Sequence, residues 1–282
     1  MELRRRRVVA TLLIGLCPPL WMAGPARGGE PDDVARFVAG RSCFRCDLRY
    51  EGAQNIRLPE ANLRGAYMFN INLSGARLIG GKLESSNLQL ANLERADLTR
   101  ALLSRAVMSD ASLMGATLVG AALQQVTARG VNFDAADLSN ADLTTADLRK
   151  SSFINAFAEN ANFMSANLRT ANLSAARMRG AQFMDSNLQG AVLTSAKLQT
   201  ANFRRAMLAG ADLSGANLSY ANLSNAVLTD ANLARADLTG ANLSNADLRN
   251  ADMTGAEMGS VVLEGAKTCG ATFSDGNRAK PC

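Results

Sequence analysis

The chain has 282 residues, with 30 Lys plus Arg against 25 Asp plus Glu, five cysteines and no histidine. Lack of histidine removes Ser-His-Asp and Cys-His nucleophile systems and any imidazole metal ligand. Residues 1–26 hold four of the basic and one of the acidic side chains, which leaves 26 against 24 in the rest, a net of +2. That balance argues against a generic polyanion binder and against a wholly acidic nucleic-acid mimic.

Residues 1–26 begin with Arg4–Arg7, continue through the apolar run VVATLLIGL (Val8–Leu16) and end in Gly24-Pro25-Ala26. This is the layout of a secretory signal peptide cleaved near Ala26. The apolar run is too short to span a bilayer, and Pro18 and Pro19 interrupt its extension, so no stable membrane span is expected after cleavage. The arginine run suits general or twin-arginine export. Cys17 follows Leu16, where a lipoprotein signal would have a small residue, so lipidation is not expected. The expected location is periplasmic or secreted.

Residues 27–45 read as an N-terminal cap. In PDDVARFVAG (Pro31–Gly40) proline and acidic residues come first, Val34, Phe37 and Val38 follow at helical spacing, and a glycine closes the run, which predicts a short amphipathic helix. Its expected task is to cover the open first layer of a stacked array. Asp47-Leu48 already resembles one repeat unit, a looser passage follows around Tyr50–Asn55, and the register locks at Leu58.

Residues 46–268 form the repeat region. Of the 42 positions taken every fifth residue from Leu58 to Leu263, 40 are Leu, Met or Phe, the exceptions being Ala128 and Ala158. Two positions before each centre the residue is nearly always Ala, and no insertion breaks the register. The stretch Ala211–Asn250 (ADLSG ANLSY ANLSN AVLTD ANLAR ADLTG ANLSN ADLRN) shows the unit in its purest form. Residues 269–282 are a tail rich in turn-formers, with Gly270, Asp275-Gly276 and Pro281. Once Cys17 is removed, two cysteines remain at each end of the array. In an exported chain this favours structural disulfides, with Cys43–Cys46 and Cys269–Cys282 as the expected local pairs. A redox role for Cys43 and Cys46 would need a βαβ context that is absent.

A period of five fits neither the strand period of two nor the helical 3.6. On an α-helix the centres would step round the axis by about 140° each time and could not be buried together. A chain that turns a corner in every unit, pointing the centre and the preceding small residue inward, satisfies the pattern. This predicts an all-β solenoid.

The tandem A-[DN]-L-x-x units resemble the pentapeptide repeat family over roughly residues 46–273. The resemblance implies a right-handed quadrilateral β-helix with four units in each twenty-residue coil. The phenylalanines agree with twenty: Phe133, Phe153 and Phe273 fall in one column, and Phe163, Phe183 and Phe203 in another on the opposite side. About eleven coils at strand spacing make a rod roughly 50 Å long. The packed core leaves no interior pocket. The Asn or Asp before each centre is expected to satisfy local backbone groups.

Carboxylates are distributed by the repeat with no apolar niche, and glycines form neither a P-loop nor a dinucleotide fingerprint, so neither catalysis nor a cofactor or metal is expected. Arg129, Arg149 and Arg169 share one outward column, with Lys150 beside them and Arg249 further along, an anion-binding candidate partly offset by Asp147. Met164 and Met184 stack outward as a candidate protein contact. The function expected is a non-enzymatic scaffold for a protein or polymer partner, without nucleic acid, with a solenoid end available for a homodimer. The alternative that the resemblance implies is a cytoplasmic DNA mimic that binds and protects gyrase.

Overall fold

The structure, a computed structural model, describes residues 28–40 and 42–280; the expected signal peptide, Arg41, Pro281 and Cys282 lie outside them. Parallel bridges join every fifth residue, the one before each centre, to the residue twenty positions on, in unbroken succession from Asp47↔Tyr67 to Asp252↔Thr272. Twenty residues therefore make one coil, with one bridge residue on each of four sides. We name the sides after centres in the second coil: the Leu63, Met68, Leu73 and Leu78 sides. The passage Tyr50–Asn55 does not loosen the register, since Gly52 already bridges Asn72. Backbone pairing tolerates the irregular side chains there.

The unit Ile71–Gly75 shows why the period is five. The Asn72 amide donates to the Glu51 carbonyl of the preceding coil at 2.9 Å, and the Leu73 and Gly75 amides donate to Asn92 and Glu94 of the next at 2.7 and 2.8 Å. The Ala76 amide closes a β-turn on the Leu73 carbonyl at 2.9 Å. Only the Ser74 amide lacks a backbone partner, and the Asn72 side chain supplies one, its Oδ1 accepting at 3.1 Å. The same side-chain cap recurs at Asn87, Asn92, Asn132, Asp212 and Asn242. An asparagine or aspartate in the second place thus completes the hydrogen bonding of its own unit.

The last residue of every unit sits at the corner in the left-handed region. From Arg45 to Gly270 every fifth residue, glycine or not, has φ between 54° and 72°. A side chain there costs roughly 1–2 kcal/mol, which the ladder on both sides offsets. β-Branched Thr145, Thr170 and Thr200 add a local bond, each hydroxyl donating to the preceding carbonyl at 2.7, 2.7 and 2.6 Å.

Inside, the centres from Leu63 to Met253 are at most 1 % exposed. Three buried serines replace the usual alanine, and Ser86, Ser151 and Ser186 each donate to the carbonyl three residues back, so none of these three hydroxyls is left unpaired. The phenylalanine columns are stacks of rings. Centroids lie 4.8 Å apart for Phe133–Phe153, 4.9 Å for Phe163–Phe183 and 4.7 Å for Phe183–Phe203. The two stacks meet edge-on at Phe153–Phe163, 6.0 Å apart. Ala158 lies between these two in the chain, and its small side chain leaves the rings room to approach.

Helix α1 (Pro31–Val38) precedes the coils, with Pro31 in its first turn and Asp32 and Asp33 favourably placed against the helix dipole. Phe37 is 1 % exposed and joins the core, and Val34 packs against it. Val38, expected on the same face, is 57 % exposed, because the chain leaves the helix at Ala39 and Gly40 before another turn can cover it. Asp33 Oδ2 accepts from the Asp47 amide at 2.8 Å, tying the helix to the first coil. At the other end the tail folds back: Thr272 bridges Arg278 antiparallel, and the Ala279 amide donates to the Ala271 carbonyl at 2.8 Å.

Candidate functional site

With the interior filled, the groups that could act lie on the four outer sides and the two ends. Among the described residues no cluster of His, Cys, Asp and Glu could hold a metal, and no helix is long and apolar enough to cross a membrane. Cys43 and Cys46 form a buried disulfide with Cα atoms 5.2 Å apart. Cys269 is also disulfide-bonded, and its expected partner Cys282 lies outside the described residues.

Arg129, Arg149 and Arg169 do lie in one column of the Met68 side, but they do not form an open cationic stripe. Asp147 Oδ2 accepts from Arg129 Nε at 2.6 Å and from Arg149 Nη2 at 2.8 Å. These hydrogen bonds, Arg149 foremost, hold the Asp147 carboxyl down at about 2 against an opposing push from burial. Arg249 is likewise taken by Asp247 at 2.6 Å. Arg49 belongs to the same column and pairs with Asp47 at 2.6 Å. The readable signal is the triplet Asp-Leu-Arg, which places carboxylate and guanidinium two residues apart on one side of the sheet. Where aspartate is missing, Arg129 reaches across to the next coil, and Arg169 has no carboxylate in salt-bridge range among the described residues. Met164 and Met184 occupy one column of the Leu63 side, each half-buried.

A second cationic group escaped the sequence reading. On the Leu78 side Phe157 bridges Arg177 and Arg177 bridges Lys197, so three second-place residues follow one another on successive coils. The Arg177 guanidinium lies over the Phe157 ring, 5.0 Å from its centroid. Arg177, Arg179 and Lys197, with Glu159 and Tyr220, line a shallow depression of about 420 Å³. None of the three cations has a carboxylate within salt-bridge range among the described residues. Tyr220 is 68 % exposed and stands at a corner next to Gly240 of the following coil, where a Cβ would come within 2.6 Å of the ring. The signal was present as Phe, Arg and Lys in place of the usual Asn or Asp, and it shows only when the chain is wound at twenty residues per coil.

The geometry defines a repeat solenoid whose charged groups lie on its outer sides, and the family comparison agrees on the repeat. The family described as pentapeptide repeats matches residues 56–95, 91–127, 186–225 and 216–255, and the pentapeptide repeat region matches residues 126–203. The chain belongs to the pentapeptide repeat family and has its right-handed β-helical fold. It is similar to HetL, a pentapeptide repeat protein involved in heterocyst differentiation regulation from Nostoc sp. strain PCC 7120, at 27 % identity over 86 % of this chain and 96 % of that one, with a TM-score of 0.40. QnrB1, a plasmid-mediated fluoroquinolone resistance protein, is 20 % identical over 68 % of this chain and 90 % of its own, with a TM-score of 0.37. A pentapeptide repeat protein of the Arabidopsis thaliana thylakoid lumen is 33 % identical over 38 % of this chain and 63 % of its own, with a TM-score of 0.18. No curated protein sequence matches the chain.

Proposed function

We propose that the chain is an exported, non-enzymatic rod whose outer sides bind a protein partner. The observation that supports this is the filled interior: the centres from Leu63 to Met253 are at most 1 % exposed, which leaves recognition to the outer sides. On this reading about eleven coils form the rod, α1 covers its first coil and the folded-back tail covers its last. The ends are also where a homodimer would form. The cytoplasmic, gyrase-protecting alternative has the same fold and a different address.

Cell fractionation combined with photo-crosslinking from outward positions on each of the four sides tests the proposal. The expected result is a protein outside the cytoplasm, shortened by the loss of the segment ending near Ala26, that crosslinks to a partner from one side. Full-length protein in the cytoplasm with Arg4–Arg7 retained overturns it.

A further inference from the structure

We propose that the depression on the Leu78 side, lined by Arg177, Arg179, Lys197 and Tyr220, with the Phe157 ring beneath the Arg177 guanidinium, docks a short acidic segment of a protein partner through its carboxylates. This deepens the binding-rod reading and rests on it. Seven arginines elsewhere on the described surface are matched by carboxylates of their own chain, including Arg64 by Glu84 and Arg205 by Asp185. Here three cations share one depression with a single acid in its wall, Glu159, which accepts a hydrogen bond from Ser139 Oγ at 3.3 Å. The site therefore has unspent positive charge.

Three further observations identify the occupant. The Phe157 ring holds the Arg177 guanidinium in place, which reduces the ordering cost of binding and leaves its N–H edges free for a bidentate contact with carboxylate. Arg177 and Lys197 stand on adjacent coils, about 4.8 Å apart along the rod, while same-side residues of an extended peptide are about 6.7 Å apart, a mismatch that two long side chains absorb. Phe157 and the exposed Tyr220 bring apolar surface beside the charges, which suits an apolar residue next to an acidic one. A nucleic-acid strand, by contrast, would find only three cations to neutralise its phosphates, enough for weak and steeply salt-dependent binding. With Phe157, Arg177 and Lys197 in the second place, the Glu159, Arg179 and Gln199 amides have no side-chain cap among the described residues, as is also so for Ile79, Ser104 and Ser109 in other units.

The test is fluorescence anisotropy with a labelled peptide of alternating Asp and Leu, its Asn-for-Asp counterpart, and a single-stranded oligonucleotide of equal charge. The intact protein is expected to bind the acidic peptide and not the amide counterpart. Joint Arg177→Glu, Arg179→Glu and Lys197→Glu should weaken binding by about tenfold or more, and Phe157→Ala should weaken it by about threefold. The same reversal of Arg129, Arg149 and Arg169 should leave it unchanged. The neutral set Arg177→Gln, Arg179→Gln and Lys197→Gln gives the same loss if the reversed protein does not fold. Absence of peptide binding, equal loss from the two arginine sets, or tighter binding of the oligonucleotide overturns the proposal. A partner crosslinked from another side would leave the rod reading standing and remove this site.

Discussion

At the residue scale, the corners carry the most testable chemistry. Gly210 and Gly240 both sit at positive φ, 64° and 67°. A Cβ at Gly210 meets nothing within 4 Å, whereas one at Gly240 meets the Tyr220 ring at 2.6 Å. Gly210→Ala should therefore cost only the left-handed penalty of about 1 kcal/mol. Gly240→Ala should cost more, and adding Tyr220→Ala should remove the excess; urea unfolding of the three proteins measures this. Glycine lies above a longer corner side chain repeatedly, as Gly75 does above Asn55 and Gly180 above Asn160. Some glycines that look scattered in the sequence, Gly75, Gly130, Gly180 and Gly240 among them, are thus placed by the residue twenty earlier. Asp147 supplies a second prediction. Its carboxyl is held at about 2, below the usual 3.8, so its contribution is complete above about pH 4 and is lost as pH falls toward 2. Asp147→Asn should flatten that part of the stability–pH curve at a cost of about 0.5–1 kcal/mol, measured by acid titration of the circular dichroism signal.

At the element scale, the unit is stabilised by two things that sequence periodicity alone does not separate: the inward centre and the second-place cap. Phe183 lies between Phe163 and Phe203 with ring centroids 4.9 and 4.7 Å away, so Phe183→Ala opens a cavity that neither neighbour can fill. A loss of about 3–5 kcal/mol is expected from chemical denaturation. Asn232 both caps the Ala234 amide at 3.0 Å and donates to Asp212 Oδ1 of the preceding coil at 3.1 Å. Asn232→Ala should cost about 1 kcal/mol, clearly less than the cavity, and a reversed order would contradict this division of roles.

At the scale of the whole molecule, twenty is the period that matters. Deleting residues 211–230 removes one coil and restores every column, so the shortened protein should melt cooperatively near the parent temperature. Deleting only residues 171–175 moves everything after it round by one side and takes Phe183 and Phe203 out of line with Phe163. The smaller deletion should lower the melting temperature more, as read by thermal circular dichroism. The reason is that each coil contacts only its neighbours, so register between neighbours outweighs length.

The sequence by itself determined the solenoid, the inward centres, the two phenylalanine columns, the Cys43–Cys46 bridge and the helix before the first coil. These depend on residues five apart or closer, or on a strict multiple of the unit, and backbone geometry imposes them without further choice. Beyond the Asp-Leu-Arg triplets, which the sequence shows, tertiary structure decided which surface charges are paired across coils. Arg129 and Arg149 share Asp147 because side chains eighteen and two residues away from it reach one carboxylate, whereas Arg177, Arg179 and Lys197 are in salt-bridge range of no described one. Long charged side chains on a flat surface choose partners by distance across coils, and those distances exist only once the chain has been wound.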